Sequence, residues 1–592
     1  MGQIDAGRGL VLQRGHFSSR FRAVVAMPIA RSQFILALLL LAAWLPRTAA
    51  GQDAGEAPAG IPVENPTVIE ACGICHATDD PRILSRISYR RTTPEGWQRT
   101  IRRMVTLNDM ALDADEAREI VRYLSNDLGL APEEARAGAF EVERRAIEFA
   151  YEADLDTEDT CRACHSMGRI LNQRRTKEEW ELVVAMHRGY YPFADRQGFL
   201  EDGMVGREAP AADETPRRRH PMNRAIDHLA EVFPLHTSAW AAWSANVRPP
   251  QLAGTWAVSG HHPGRGPVFG QMTVTAVAGA DAEFTTEASL VYPQSGESVT
   301  HAGRAIVYTG YQWRGSSDVA IEDTAWRQVM FVERDWNEIS GRWFRGVGDE
   351  IGLDVTLTRS DAGAAPVVAG VHPRALRLSA EGEVQIHGAN LPAPLAPADV
   401  DFGAGVEVTE VVSAAPGLAT VRVAVSAGAA VGARDLRVGR GRAARALVVH
   451  DRVDRIEVEP SRGMARVGGV VAAKQYQQFH AVAWHDGPDS EAGTGDDLNL
   501  GVLEPTWSLE EYSATYGDED LRYVGAVDQT GLFTPAVDGP NPERNGNRNN
   551  IGDVWVVASF TPDGRDTPLR GRALLVVTVP VYMQFDSWEV GR

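Results

Sequence analysis

The chain has 592 residues, 44% of them hydrophobic, with 57 glycines, 33 prolines and only 4 cysteines. That composition fits several globular domains and excludes a fibrous or wholly disordered protein. The formal charge of −20 excludes a general nucleic-acid binder, which needs surplus Lys and Arg to displace counterions from phosphates.

Residues 1–50 carry Arg8, Arg14, Arg20, Arg22, Arg31 and Arg47 against Asp5 alone. An apolar run from Phe34 to Leu45 follows, and then the small residues Thr48-Ala49-Ala50-Gly51. The run is too short for a bilayer, which takes about 20 residues. Basic flank, apolar stretch and small residues together predict a cleaved secretory signal peptide over 1–50, begun at either Met1 or Met27. With the leader gone the charge becomes −25. No second apolar run of that length follows, so no membrane attachment is expected after cleavage.

The cysteines stand as Cys72-Gly73-Ile74-Cys75-His76 and Cys161-Arg162-Ala163-Cys164-His165. In this pattern two thiols form thioethers with the haem vinyl groups and the adjacent imidazole becomes the proximal iron ligand. The reading is two covalently bound c-type haems, held by Cys72, Cys75, Cys161 and Cys164, with His76 and His165 on iron. A zinc site would bring the pairs nearer in sequence, and a thioredoxin-like pair needs a βαβ context. Attachment of c-type haem in bacteria takes place outside the cytoplasm, in keeping with the leader.

Each motif is followed by a helix-like segment opened by Trp: Trp97 runs to Met104 and Trp180 to His187, with the same spacing of seven. Thr93-Pro94-Glu95 and Thr176-Lys177-Glu178-Glu179 precede them as hydroxyl cap and acidic first turn. If the segments are copies, Met104 and His187 are equivalent, giving His76/Met104 for the first haem and His165/His187 for the second. Met110, His220, His228 and His236 remain rivals, and packing on the stripe with Ile101 and Val105 is the ordinary alternative for Met104. Met/His coordination raises a haem potential relative to other ligand sets, so electrons are expected to run from the second haem to the first.

The pattern is helical over 60–245, including amphipathic Asp115–Leu124 and its counterpart Ala225–Leu229. An irregular insertion ends in Arg217-Arg218-Arg219, a solvated face or partners for haem propionates. After Pro250 come alternating runs at 268–277, 283–292, 304–313, 325–333, 338–344 and 352–358, which predict an antiparallel β-barrel over 251–361. Trp256, Trp313, Trp326 and Trp343 are expected in its core. Two immunoglobulin-like β-sandwiches follow, over 365–451, with an IPT-like turn at Ile386-His387-Gly388-Ala389-Asn390, and over 452–592. The acidic loop 486–497 reads as an ordinary hairpin loop or a calcium site, without EF-hand spacing. The fold class is multidomain: a mainly α two-haem cytochrome c domain, then three all-β domains.

The paired CxxCH motifs, the Trp97–Met104 and Trp180–His187 repeats with Arg188-Gly189-Tyr190-Tyr191-Pro192, and the stretch Trp484–Glu510 resemble the α subunit of quinohemoprotein amine dehydrogenase. The resemblance implies a periplasmic heterotrimer with a β-propeller subunit and a small subunit carrying cysteine tryptophylquinone. It implies that this chain takes electrons from the quinone during oxidative deamination of primary amines and passes them to an external cytochrome c or blue-copper protein. No catalytic residue is read in this chain. A stand-alone di-haem carrier with β docking modules, or a haem peroxidase-like enzyme, are the other readings.

Overall fold

The structure, a computed structural model, describes residues 59–141, 151, 153–162, 165–190, 221–317, 326–345, 351–513 and 519–580. The leader, Cys164, Arg217-Arg218-Arg219 and His220 lie outside the described residues. No described helix is long and apolar enough to cross a membrane.

The helical region is built twice over. Helix α1 (Pro66–His76) starts where Asn65 accepts a hydrogen bond from the Val68 amide and Pro66 fills the first turn. Strand β1 (Arg90–Thr92) leads into α2 (Pro94–Leu107), which Thr93 caps with Glu95 in the first turn. Helix α3 (Ala114–Asp127) opens on a capping box between Asp113 and Glu116. After the short α4 (Pro132–Ala135) the order returns: α5 (Leu155–Arg162), α6 (Gly168–Leu171), β2 (Gln173–Arg175), α7 (Lys177–Tyr190), α8 (Pro221–Val232) and α9 (Ser238–Ser244).

Each half has its own core. Val68, Cys72, Trp97, Ile101, Ile120 and Leu124 pack in the first, and Cys161, Met167, Trp180, Val184, Ile226 and Leu229 in the second. Trp97 and Trp180 are therefore the anchors of equivalent helices. The halves join where β1 pairs with β2 in antiparallel register: Arg90 opposite Arg175, Arg91 opposite Arg174, Thr92 opposite Gln173.

Eight strands then close an antiparallel barrel: β3 (Gly254–His262), β4 (Gly266–Ala276), β5 (Glu283–Tyr292), β6 (Glu297–Tyr308), β7 (Gln312–Ser317), β8 (Arg327–Val332), β9 (Glu338–Phe344) and β10 (Gly352–Arg359), with β10 returning to β3. Along β5 the side chains of Phe284, Thr286, Ala288, Leu290 and Tyr292 turn inward and their neighbours outward, the period of two that a closed sheet requires. Six runs are visible in the sequence, and two strands are not. The run at 304–313 divides at Thr309-Gly310, both with positive φ (56° and 75°), a tight hairpin turn in which Thr stands where Asn or Gly is usual. Strand β3 ends in Ser259-Gly260-His261-His262, whose polarity hides its alternation. Trp256, Trp313, Trp326 and Trp343 all lie in the barrel core, joined there by Leu130 and Ala135 of the helical region.

The third part packs the sheet of 367–372, 381–389, 418–425 and 406–415 on the sheet of 375–377, 441–450, 432–438 and 400–401. Its core is Val384, Ile386, Phe402, Val421, Val423, Leu436 and Val449. The fourth part, 455–578, has sheets of three, four and three strands around Phe479, Trp507, Phe533, Val556 and Leu575. In its acidic loop Arg455 lies among the carboxylates, 2.7 Å from Asp497, 3.0 Å from Glu457 and in contact with Asp486. A guanidinium thus supplies the positive charge there.

Candidate haem sites

On α1, Cys72, Cys75 and His76 stand at i, i+3 and i+4, which brings both thiols and the imidazole to one side of the helix. Cys72 is buried and Cys75 exposed. Burial, helped by Cys75, pushes the Cys72 thiol up to about 11. Among the described residues no group of three or more His, Cys, Asp or Glu could hold a metal ion. Burial also lowers the His76 imidazole, so it is the neutral base that iron ligation uses.

The second site brings together two residues 22 positions apart in sequence. The rings of His165 and His187 lie with centroids 6.3 Å apart, planes inclined by 51°. Two imidazoles on one metal need a nitrogen–metal bond of about 2.0 Å on each side plus roughly 1.1 Å from nitrogen to ring centre, about 6.2 Å in all. His165 Nδ1 lies 3.0 Å from the Ser166 carbonyl, and His187 Nδ1 2.7 Å from the Val183 carbonyl. A carbonyl can only accept, so each Nδ1 carries the proton and Nε2 the lone pair, the tautomer that a carbonyl contact of this kind sets in metal-binding histidines. Burial first, then the Arg169 charge, takes His165 down to about 3; burial likewise lowers His187.

Met104 lies in the last turn of α2, with its Sδ 3.9 Å from Asn108 Nδ2, and is half-buried. The Met110 amide donates to the Met104 carbonyl at 3.2 Å, which puts both methionines at the same helix end. Met110 packs on the core that contains Cys72. Two rival histidines are engaged elsewhere: His228 Nε2 is 2.7 Å from the Tyr151 hydroxyl, and His236 Nε2 is 2.7 Å from the Ala59 carbonyl.

Between the sites lie arginines and acids that the spacing of the motifs does not announce. On one face of the β1–β2 pair, Arg91 forks onto Glu134 at 2.7 and 2.9 Å, and Arg174 reaches the same carboxylate at 3.2 Å. Burial would raise Glu134, but the Arg91 hydrogen bond and the two guanidinium charges outweigh it and hold the carboxyl at about 2. Beside the second site, Glu141 accepts two bonds of 2.6 Å from Arg99 and one of 3.3 Å from Arg169. One signal could have exposed this region: Arg-Arg-Thr recurs at 90–92 and at 174–176, just before each Trp helix.

Comparison with known proteins fits this architecture. Residues 64–204 match the model for quinohemoprotein amine dehydrogenase A, alpha subunit, haem binding. Residues 249–360, 364–451 and 456–587 match quinohemoprotein amine dehydrogenase, alpha subunit domains II, III and IV. No curated protein matches the chain. Among solved structures, a de novo designed fluorescence-activating β-barrel aligns at 16% identity over 19% of this chain and 100% of its own, with a TM-score of 0.16. The EC1-3 fragment of mouse clustered PcdhgC3 aligns at 10% identity over 41% of this chain and 76% of its own, also at 0.16. Four consecutive matches to the domains of one subunit, spread over nearly the whole length, establish that the chain belongs to the quinohemoprotein amine dehydrogenase alpha-subunit family.

Proposed function

We propose that this chain is the electron-transfer subunit of a periplasmic quinohemoprotein amine dehydrogenase, carrying two covalently attached c-type haems. When bound, the haems supply one-electron relay between a reduced cysteine tryptophylquinone in a small partner subunit and an external cytochrome c or blue-copper protein. The residues of this chain do the holding: Cys72 and Cys75 at the first site, Cys161 and Cys164 at the second, His76 and His165 as proximal ligands. His187 completes the second site, and the 6.3 Å spacing of its ring from that of His165 is the observation that carries the reading. Met104 completes the first. Met110 is a second reading there, supported by its packing on the Cys72 core.

Amine oxidation belongs to the whole assembly, with a β-propeller subunit as the third partner and this chain supplying no catalytic group. The immunoglobulin-like character of the last two parts, and export through residues 1–50, belong to the same reading. The alternatives make different predictions. A peroxidase-like enzyme needs an open iron position, which a ligand pair on both haems would deny. A stand-alone carrier would purify without partners. The test is purification of the native chain from its source, followed by addition of a primary amine without oxygen. Co-purification of two further chains and amine-driven reduction of both haems is the expected result; a lone chain whose haems ignore amine would overturn the proposal.

A further inference from the structure

The face of the β1–β2 pair opposite Glu134 has too much positive charge for its protein partners. Arg90 and Arg175 are cross-strand neighbours there, 8% and 5% exposed. Arg175 reaches Gln173 Oε1 at 2.7 and 3.0 Å and Glu179 at 3.4 Å, and Arg86 takes the same Glu179 carboxylate at 3.0 Å. Arg90 has only neutral partners, the Thr100 hydroxyl at 2.6 Å and the Gly96 carbonyl at 3.4 Å. Arg103 joins them within Coulombic range of Arg90, Arg175 and His187. Four guanidiniums thus stand around one carboxylate that hydrogen-bonds only two of them, Arg86 and Arg175.

Three buried donors in this neighbourhood have no acceptor: Arg90 Nε, Arg103 Nε and Trp180 Nε1, the last under the Arg175 guanidinium at 5.6 Å from its ring centre. Buried donors without acceptors are costly, and buried unpaired cations more so. All three orphans are donors, so the missing group is an acceptor and, given the charge, an anion. Burial and the neighbouring guanidiniums depress Arg90 well below its usual range, the same imbalance seen from the side of its proton.

Resting on the di-haem reading above, we propose that Arg90, Arg103 and Trp180 bind a propionate carboxylate of the haem held by His165 and His187. Arg90 and Arg103 come from the first half of the repeat, while that haem is attached to the second. The contact therefore ties the relative placement of the two haems to the β1–β2 joint. A cation beside the carboxylate disfavours the ferric state, so it raises the potential of that haem.

The test is spectroelectrochemistry of the full holo chain carrying Arg90→Gln, with haem content measured alongside. With both haems attached, the potential of the bis-histidine haem should fall by at least tenfold in the ferric–ferrous equilibrium, about 59 mV for one electron. The other haem should move less. An unchanged potential at full haem content overturns the assignment while leaving the di-haem reading intact; a chain with no haem in the unmutated form overturns that reading instead. If Arg90→Gln fails to fold, Arg90→Lys keeps the charge but loses the fork. It should hold the potential within twofold yet shift the resonance Raman propionate bending band, and an unmoved band overturns the proposal. Inorganic phosphate is the control for a solution anion: titrating it should leave the unmutated potential unchanged, and a phosphate-dependent potential would assign the cluster to a free anion and overturn the proposal.

Discussion

Glu134→Gln removes one charge from the joint between the two halves of the helical region. The carboxylate accepts from Arg91 and Arg174 across the β1–β2 pair, from the Thr237 hydroxyl at 2.8 Å and from the Ala131 amide at 2.9 Å. Its guanidinium partners have side chains 0% and 8% exposed. Folding lowers the Glu134 carboxyl from 4.5 to about 2, a difference equal to about 3 kcal/mol at roughly 1.4 kcal/mol per unit. Glutamine of the same size leaves two buried cations without a counter-charge, a loss of about 3–5 kcal/mol. Because the folded value lies below the unfolded one, the stabilisation is complete above about pH 4.5 and is lost as pH falls through about 2. Guanidinium unfolding of the holo chain, followed at the haem Soret band so that the helical region alone reports, should show the variant less stable by about 3 kcal/mol or more at pH 7. At pH 3 the gap should shrink to roughly half. A gap below about 1 kcal/mol at pH 7, or one equally large at pH 3, would mean that the Arg91–Glu134–Arg174 cluster does not hold the joint.

Three further outcomes follow from the sites. His187→Ala should leave two haems attached but convert the second to a high-spin spectrum; an unchanged low-spin spectrum would remove His187 from the ligand set. The near-infrared sulfur-to-iron band should vanish in Met104→Ala and persist in Met110→Ala, and the reverse pattern would transfer the ligand role to Met110. Arg455→Gln leaves Asp486 and Asp497 without their cation; the thermal midpoint should fall and be regained on adding Ca²⁺, which should leave the unmutated chain unchanged.

What the sequence reveals here is local chemistry. CxxCH puts the thiols and the imidazole on one helix end within five residues, so neighbours in sequence suffice to name the group. The Trp-to-seventh-residue spacing of α2 and α7 is legible for the same reason, and the β1–β2 pairing gives it a structural meaning: equivalent helices leave a shared two-stranded joint. Strand β5 is legible because one face is buried and the other wet. Strand β3 is not, because its last four residues are polar or glycine while still in the ladder. The charged network is hidden most completely. Arg91 and Glu134 are 43 residues apart, and Arg86 and Glu179 are 93 apart, so no window of sequence holds both partners. An arginine beside a helix start reads as a solvated cation until the fold buries it. The candidate ligands Met104 and Met110 fall between the two cases, since one backbone hydrogen bond brings both to the same helix end.

Haem attached to both CxxCH sites of this one chain is the condition on which the other predictions depend. Intact-protein mass spectrometry of the exported chain after acid extraction of non-covalent cofactors measures that directly. The predicted mass is that of the processed polypeptide plus two haems, with Cys75→Ser and Cys164→Ser each weakening attachment at its own site alone. A mass with no haem, or with one haem regardless of which motif is altered, would contradict it.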